Sequence, residues 1–122
     1  MKNDNKLKGD KAENITAKWI QSNQGYKIVS RNYRTKFGEI DLIAKDGDTF
    51  VFIEVKFRST TEYGQPIEAV TLKKQSNIIK CAMIFLQKEE NSSARFDVAE
   101  VMEREGKYFI RYTENAFEWR AL

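Results

Sequence analysis

Apolar residues recur at helical spacing near the start of the chain, where Ala12, Ile15, Trp19 and Ile20 share one face of a segment running from about residue 10 to 23. Gly25 follows where such a helix stops. The period then shortens to two, which predicts strands over 26–33, 38–45 and 49–58, with Asp46-Gly47 as a hairpin turn between the last two. Three strands in succession predict a meander. A loop through Ser59, Thr60, Thr61, Gly64 and Pro66 leads to a second helix, expected from Thr71 as N-cap to about Lys88. After the break at Asn91-Ser92-Ser93, residues 95–101 and 108–112 read as a closing strand pair around Glu105-Gly106. Phe117 and Trp119 then close the core or dock a partner. The order of helix, three strands, helix and one or two strands predicts an α+β, three-layer α/β/α domain around a mixed sheet.

Charges interrupt this pattern where strands should be most apolar. Asp41 sits within Gly38-Glu39-Ile40-Asp41-Leu42-Ile43, and Glu54 and Lys56 within Phe52-Ile53-Glu54-Val55-Lys56. Isolated ionised groups are costly to remove from water, so this placement points to a metal or a catalytic task. With a two-residue turn at Asp46-Gly47, residue 45 pairs with 48. Asp41 then lies opposite Phe52 and diagonal to Glu54, about 7 Å away on the same face, a span that one divalent cation can bridge. Glu39 would lie opposite Glu54 in that register and is a reserve ligand, otherwise a solvated or hairpin-pairing residue. On the first helix Glu13 falls inside the apolar arc, and on the second Gln75 lines up with Ile78, Ile79 and Ala82, so both helices aim a polar group inward.

Composition narrows the chemistry. The 122 residues contain no histidine, which excludes Ser-His-Asp triads, HExxH zinc sites and histidine general bases. One domain of this length has room for a real core. The single cysteine, Cys81, lies among apolar residues, so no internal disulfide is possible and a buried thiol in a reducing compartment is expected. The N-terminus lacks an apolar leader segment and no apolar run reaches membrane-spanning length, so a cytoplasmic protein is expected. The 21 Lys+Arg against 18 Asp+Glu give +3, which permits nucleic-acid binding. Arg31, Arg34, Lys36, Arg58, Lys73 and Lys74 are candidates for phosphate contact, with a solvated basic surface as the plainer alternative. Asp97 reads as a structural partner of a nearby basic group.

Phosphodiester hydrolysis fits these residues. Mg²⁺ (or Mn²⁺) held by Asp41 and Glu54 would neutralise the scissile phosphate, while Lys56 orients the attacking water or stabilises developing charge. The acid on one strand and Glu54-Val55-Lys56 on the next resemble the PD-(D/E)XK nuclease superfamily, with Ile40 where the superfamily name expects proline. More closely, Arg31-Asn32-Tyr33-Arg34, Gly38 to Ile43, Glu54 to Arg58, Ala69-Val70-Thr71 and Arg95-Phe96-Asp97-Val98 resemble the bacterial UPF0102 family over nearly the whole chain. That family is similar in fold to archaeal Holliday-junction resolvases and restriction-endonuclease cores. The resemblance implies an αβββαβ core, Mg²⁺ dependence and DNA, including branched DNA, as substrate. It casts Asp41 and Glu54 as metal ligands, Lys56 as the catalytic lysine and Glu13 as a helix-one acid. It also raises a homodimer, since a junction presents two symmetric cuts. The competing readings are a non-catalytic nucleic-acid-binding module on the same fold, and a small interaction protein with no nucleic-acid role.

Overall fold

The structure, a computed structural model, describes residues 4–58, 70–89 and 92–119, with side chains from residue 8 onward. Its order is α1 (Asp4–Trp19), a π-helical turn (Ile20–Gln24), β1 (Lys27–Thr35), β2 (Gly38–Asp46), β3 (Thr49–Arg58), α2 (Leu72–Leu86), β4 (Ser93–Arg104) and β5 (Lys107–Phe117). The loop expected through Ser59 to Pro66 lies outside the described residues. The five strands form one mixed sheet in the order β1-β2-β3-β4-β5. All neighbours are antiparallel except β3 and β4, which run parallel through the α2 crossover. This is an α+β fold, and the expected meander is its first three strands.

Alternation along the central strands divides the core into two. Leu42, Ala44, Val51, Ile53 and Ala99 pack with Ala17 and Ile20 from the α1 segment. Ile43, Phe52, Phe96 and Val98 pack with Ile78, Ile79, Cys81 and Ala82 of α2 on the other face. The helices therefore cover opposite faces of the sheet, and β2 and β3 are apolar on both sides because both sides are buried. Cys81 is the expected buried thiol, within 3.1 Å of Thr35 Oγ1. Phe117 closes the core by stacking on Phe96, with centroids 4.9 Å apart, while Trp119 meets Phe96 edge-on and stays half exposed.

Local chemistry explains the boundaries. The helix-one segment ends at Gly25, whose φ of 70° is the left-handed conformation that glycine adopts without Cβ strain. Thr71 caps α2 as expected, its hydroxyl accepting from the Lys74 N–H at 3.1 Å. The helix α1 begins earlier than its apolar stripe, at Asp4, because the added turns are polar and carry no periodicity to read. The strand β5 extends well past Tyr112, with a register shift between Phe96 and Val98 of β4 and a left-handed Asn115 that break simple alternation. Among the described residues no helix is long and apolar enough to cross a membrane.

Candidate functional site

The β2–β3 hairpin turns at Gly47-Asp48, so Asp46 pairs with Thr49 and Leu42 with Ile53. The expected turn at Asp46-Gly47 is thus corrected by one residue, and Asp41 comes level with Glu54 instead of lying opposite Phe52. Gly47 at φ 60° takes the first central position, where primed hairpin turns demand a left-handed residue. The paired ladder ends at Leu42 and Ile53, and the Val55 N–H donates to Asp41 Oδ2 at 2.8 Å. A side chain replaces a backbone acceptor there, which fixes Asp41 beside Glu54.

Glu54 is only 6% exposed, and its Oε1 is buried without a hydrogen-bond partner among the described residues. Lys74 Nζ, from the first turn of α2, stands 3.7 Å from Oε2, close enough for charge attraction but long for a hydrogen bond. Two carboxylates that meet without a donor between them require a proton or a cation. Lys56 follows two residues along the same face, exposed, and its charge acts on the Glu54 carboxylate.

Glu13 reaches this corner from α1, and one oxygen each of Glu13, Glu39 and Asp41 lie within 4.8 Å of one another. Glu39 therefore joins Glu13 and Asp41 rather than standing opposite Glu54. Its Oε2 accepts from Arg34 Nε at 2.6 Å, while Arg31 Nη2 donates to Asn14 Oδ1 at 2.6 Å. Asn32, level with Asp41 across the β1–β2 pair, turns its amide to Glu13 and Glu39. Nothing in the hydrophobic periodicity marks Asn32.

Other sequence candidates lie elsewhere. Arg58 is 15% exposed and donates to the buried Glu100 at 2.7 Å, so its guanidinium is engaged within the sheet and not spread on the surface. Gln75 is buried, its Nε2 donating to the Val70 carbonyl at 3.0 Å. Lys73 is exposed. Asp97 is fully buried and bonds Arg95, the structural partnership expected of it.

Electrostatics at the corner follow from burial and like charge. Glu54 is pushed up to about 8, first by burial and then by the neighbouring Asp41 carboxylate. Asp41 is raised, chiefly by burial, against hydrogen bonds from Glu54 and the Val55 N–H that pull it down. Glu13 is pushed up to about 7 by burial and by Asp41, Glu39 and Asp10, with Arg31 opposing. The folded state thus holds protons that the unfolded chain releases near 4.5. The associated stability is fully present below about 4.5 and is lost as pH rises through about 7 and 8. Thermal melts should accordingly fall by on the order of 5 °C between neutral and mildly alkaline pH. A flat profile over this window would remove the assigned proton affinity.

The donor set suits a hard divalent cation. The three clustered donors, from Glu13, Glu39 and Asp41, are carboxylate oxygens, and the buried orphan Oε1 belongs to Glu54, which lies beside Asp41 but outside that cluster. Ligand oxygens on Mg²⁺ sit about 3 Å apart when adjacent and about 4 Å apart when opposite, so the three oxygens, within 4.8 Å of one another, would draw together around the ion. Carboxylates that hold protons at neutral pH would exchange them for the metal.

The model of "Uncharacterised protein family UPF0102" matches residues 12–101, a span containing α1 from Ala12 to most of β4 and all four carboxylates. A UPF0102 protein of Alkaliphilus oremlandii is 44% identical over 117 residues, covering 93% of this chain and 99% of the relative. One from Clostridium botulinum is 44% identical over 119 residues, covering 93% and 96%, and one from Desulforapulum autotrophicum is 42% identical over 120, covering 97% and 98%. With a family match across most of the fold and relatives aligned nearly end to end, the chain belongs to the UPF0102 family.

Proposed function

We propose that this protein is a Mg²⁺-dependent (or Mn²⁺-dependent) endonuclease-type hydrolase that cuts DNA phosphodiester bonds, with branched DNA among its substrates. The observation that carries this reading is the buried, unpartnered Oε1 of Glu54 beside Asp41, in a corner where Glu13 and Glu39 supply further carboxylate oxygens. A fold has no packing reason to assemble four acids there, and the arrangement costs stability unless protons or a cation join them.

In this reading Asp41 and Glu54 would hold the metal, with Glu13 and Glu39 as further carboxylate donors. When bound, Mg²⁺ neutralises charge on the scissile phosphate and lowers the pKa of the attacking water. Lys56, exposed next to Glu54, stabilises negative charge that develops on the phosphate. Lys74 moderates repulsion at Glu54 until the cation arrives. Arg31, Arg34 and Lys73 on the exposed surface contact the DNA backbone, and Lys74 lies at the border of that surface. Such contacts supply affinity with little sequence preference.

The test is cleavage of labelled duplex, single-stranded, flap and four-way-junction DNA with Mg²⁺ or Mn²⁺, beside Asp41→Asn. Cutting that requires the metal and vanishes in Asp41→Asn is the expected result, with binding that weakens steeply between about 50 and 200 mM salt. Salt-sensitive binding without cutting by either protein would favour a nucleic-acid-binding module instead. Failure to bind DNA even at low salt would overturn both.

A further inference from the structure

We propose that Asn32 is a positioning residue of the carboxylate corner, its side-chain amide holding Glu13 and Glu39 in convergence so that a divalent cation meets preorganised ligands. The inference rests on the metal-binding reading above and extends it to a residue outside the acids.

The geometry has three parts. Asn32 lies in β1 at φ 54°, a left-handed conformation that non-glycine residues rarely adopt and that asparagine tolerates better than most. It sits between the pairs Arg31↔Leu42 and Tyr33↔Ile40, level with Asp41. With its amide turned so that the nitrogen rather than the oxygen faces the acids, the orientation that satisfies both groups, Nδ2 donates to Glu13 Oε1 at 3.1 Å and to Glu39 Oε1 at 3.2 Å. One amide nitrogen thereby ties an acid on α1 to an acid on β2.

Chemistry gives the contact a purpose. Glu13 and Glu39 repel each other, and nothing in apolar packing holds two carboxylates together. An amide with two N–H groups offers each acid one donor without adding charge, so it lowers the repulsion while leaving Glu13 Oε2 and the Asp41 carboxylate to face a cation. Glu39 Oε2 is held separately by Arg34, which fixes that carboxylate at both ends. Groups that orient metal ligands in this way typically contribute 10–100-fold to metal affinity. A backbone strained only to shape a surface strand would have no reason to aim this side chain at two acids.

The experiment is calorimetric titration of the full chain with Mn²⁺, on wild type, Asn32→Gly, Glu39→Gln and the double variant. Glycine accepts φ 54° at no steric cost, so Asn32→Gly keeps the strand and removes only the amide. Circular dichroism melts verify the fold of each variant. The expected result is roughly a tenfold loss of Mn²⁺ affinity in Asn32→Gly. That loss should be clearly smaller when Glu39 is already Gln, because the amide then positions only Glu13. Wild-type affinity in a folded Asn32→Gly, or an equal loss in both backgrounds, overturns the role of Asn32 while leaving the metal site standing. Absence of Mn²⁺ binding by wild type overturns the metal site and this inference together.

Discussion

Glu54→Gln should stabilise the metal-free protein at alkaline pH and abolish the Mg²⁺-dependent DNA cleavage proposed for it. Glutamine keeps the shape of the side chain, removes the charge that burial opposes, and supplies an N–H that can donate to Asp41. With Glu54 pushed up to about 8, the wild-type residue is largely neutral at pH 6 and ionised above pH 9. Because the unfolded chain ionises near 4.5, the variant's advantage over wild type grows as pH rises from about 4.5 and is complete above about 9, a shift of several degrees in a domain of this size. Cleavage should fall by on the order of 10³-fold, because a neutral amide at this position neither holds the cation nor joins the charge pattern that stabilises the transition state. Lys56→Ala provides the contrast. Lys56 is exposed, so its loss should leave the melt unchanged and still remove cutting. Scanning fluorimetry across pH, beside the cleavage assay, reads both effects. A Glu54→Gln protein that is less stable above pH 9, or that cuts DNA as wild type does, would make Glu54 a structural acid.

Such a trade between stability and activity is also what made this corner readable in the sequence. Asp41 and Glu54 stand out because strands otherwise filled by Ile, Leu, Val and Phe carry them, and Glu13 because it interrupts an apolar arc. Their mutual position was less legible. Asp46-Gly47 and Gly47-Asp48 are both good primed turns, and the choice between them moves Asp41 by two residues along β3 without changing its face. Faces follow from periodicity, whereas levels follow from the turn. Glu39 and Asn32 were harder still. Their roles depend on where side chains point at the end of a ladder and on a left-handed backbone, neither of which leaves a periodic trace. Arg58 shows the same limit at long range. It reads as surface charge, yet the parallel crossover places β4 beside β3 and brings Glu100 to it. Secondary structure was local enough to read, including the Thr71 cap and the Glu105-Gly106 turn, while pairings across 40 residues were not.

Asp97→Ala should cost about 3–5 kcal/mol, the range expected when one member of a buried ionic network is removed. Asp97 is fully buried on β4. Its two oxygens accept from Arg95 Nε at 3.1 and 3.2 Å, from the Tyr112 hydroxyl at 2.5 Å and from the Asn115 N–H at 3.0 Å. Burial and the Asp97 charge hold the Tyr112 hydroxyl well above its ordinary range, so it stays a proton donor at any working pH. Alanine leaves the largely buried Arg95 guanidinium with a missing partner, and both Tyr112 and the Asn115 N–H without this acceptor. Arg95 also donates to Asp46 Oδ2 at 3.1 Å and to the Tyr26 hydroxyl, so the network ties β4 to the end of β2 and the entry to β1. Asp46 is the residue from which the hairpin register starts, and that register sets Asp41 level with Glu54. The two buried acids nonetheless do different work. Asp97 has its donors in place and Glu54 lacks one, so removing Asp97 should weaken folding while the molecules that remain folded keep their affinity for Mn²⁺. Urea unfolding measures the first quantity and calorimetry at low temperature the second. A loss of metal affinity in folded Asp97→Ala would mean that the network acts on the site through the register, whereas a loss under about 1 kcal/mol would mean that Arg95 is held well enough by Asp46 and Glu114 alone.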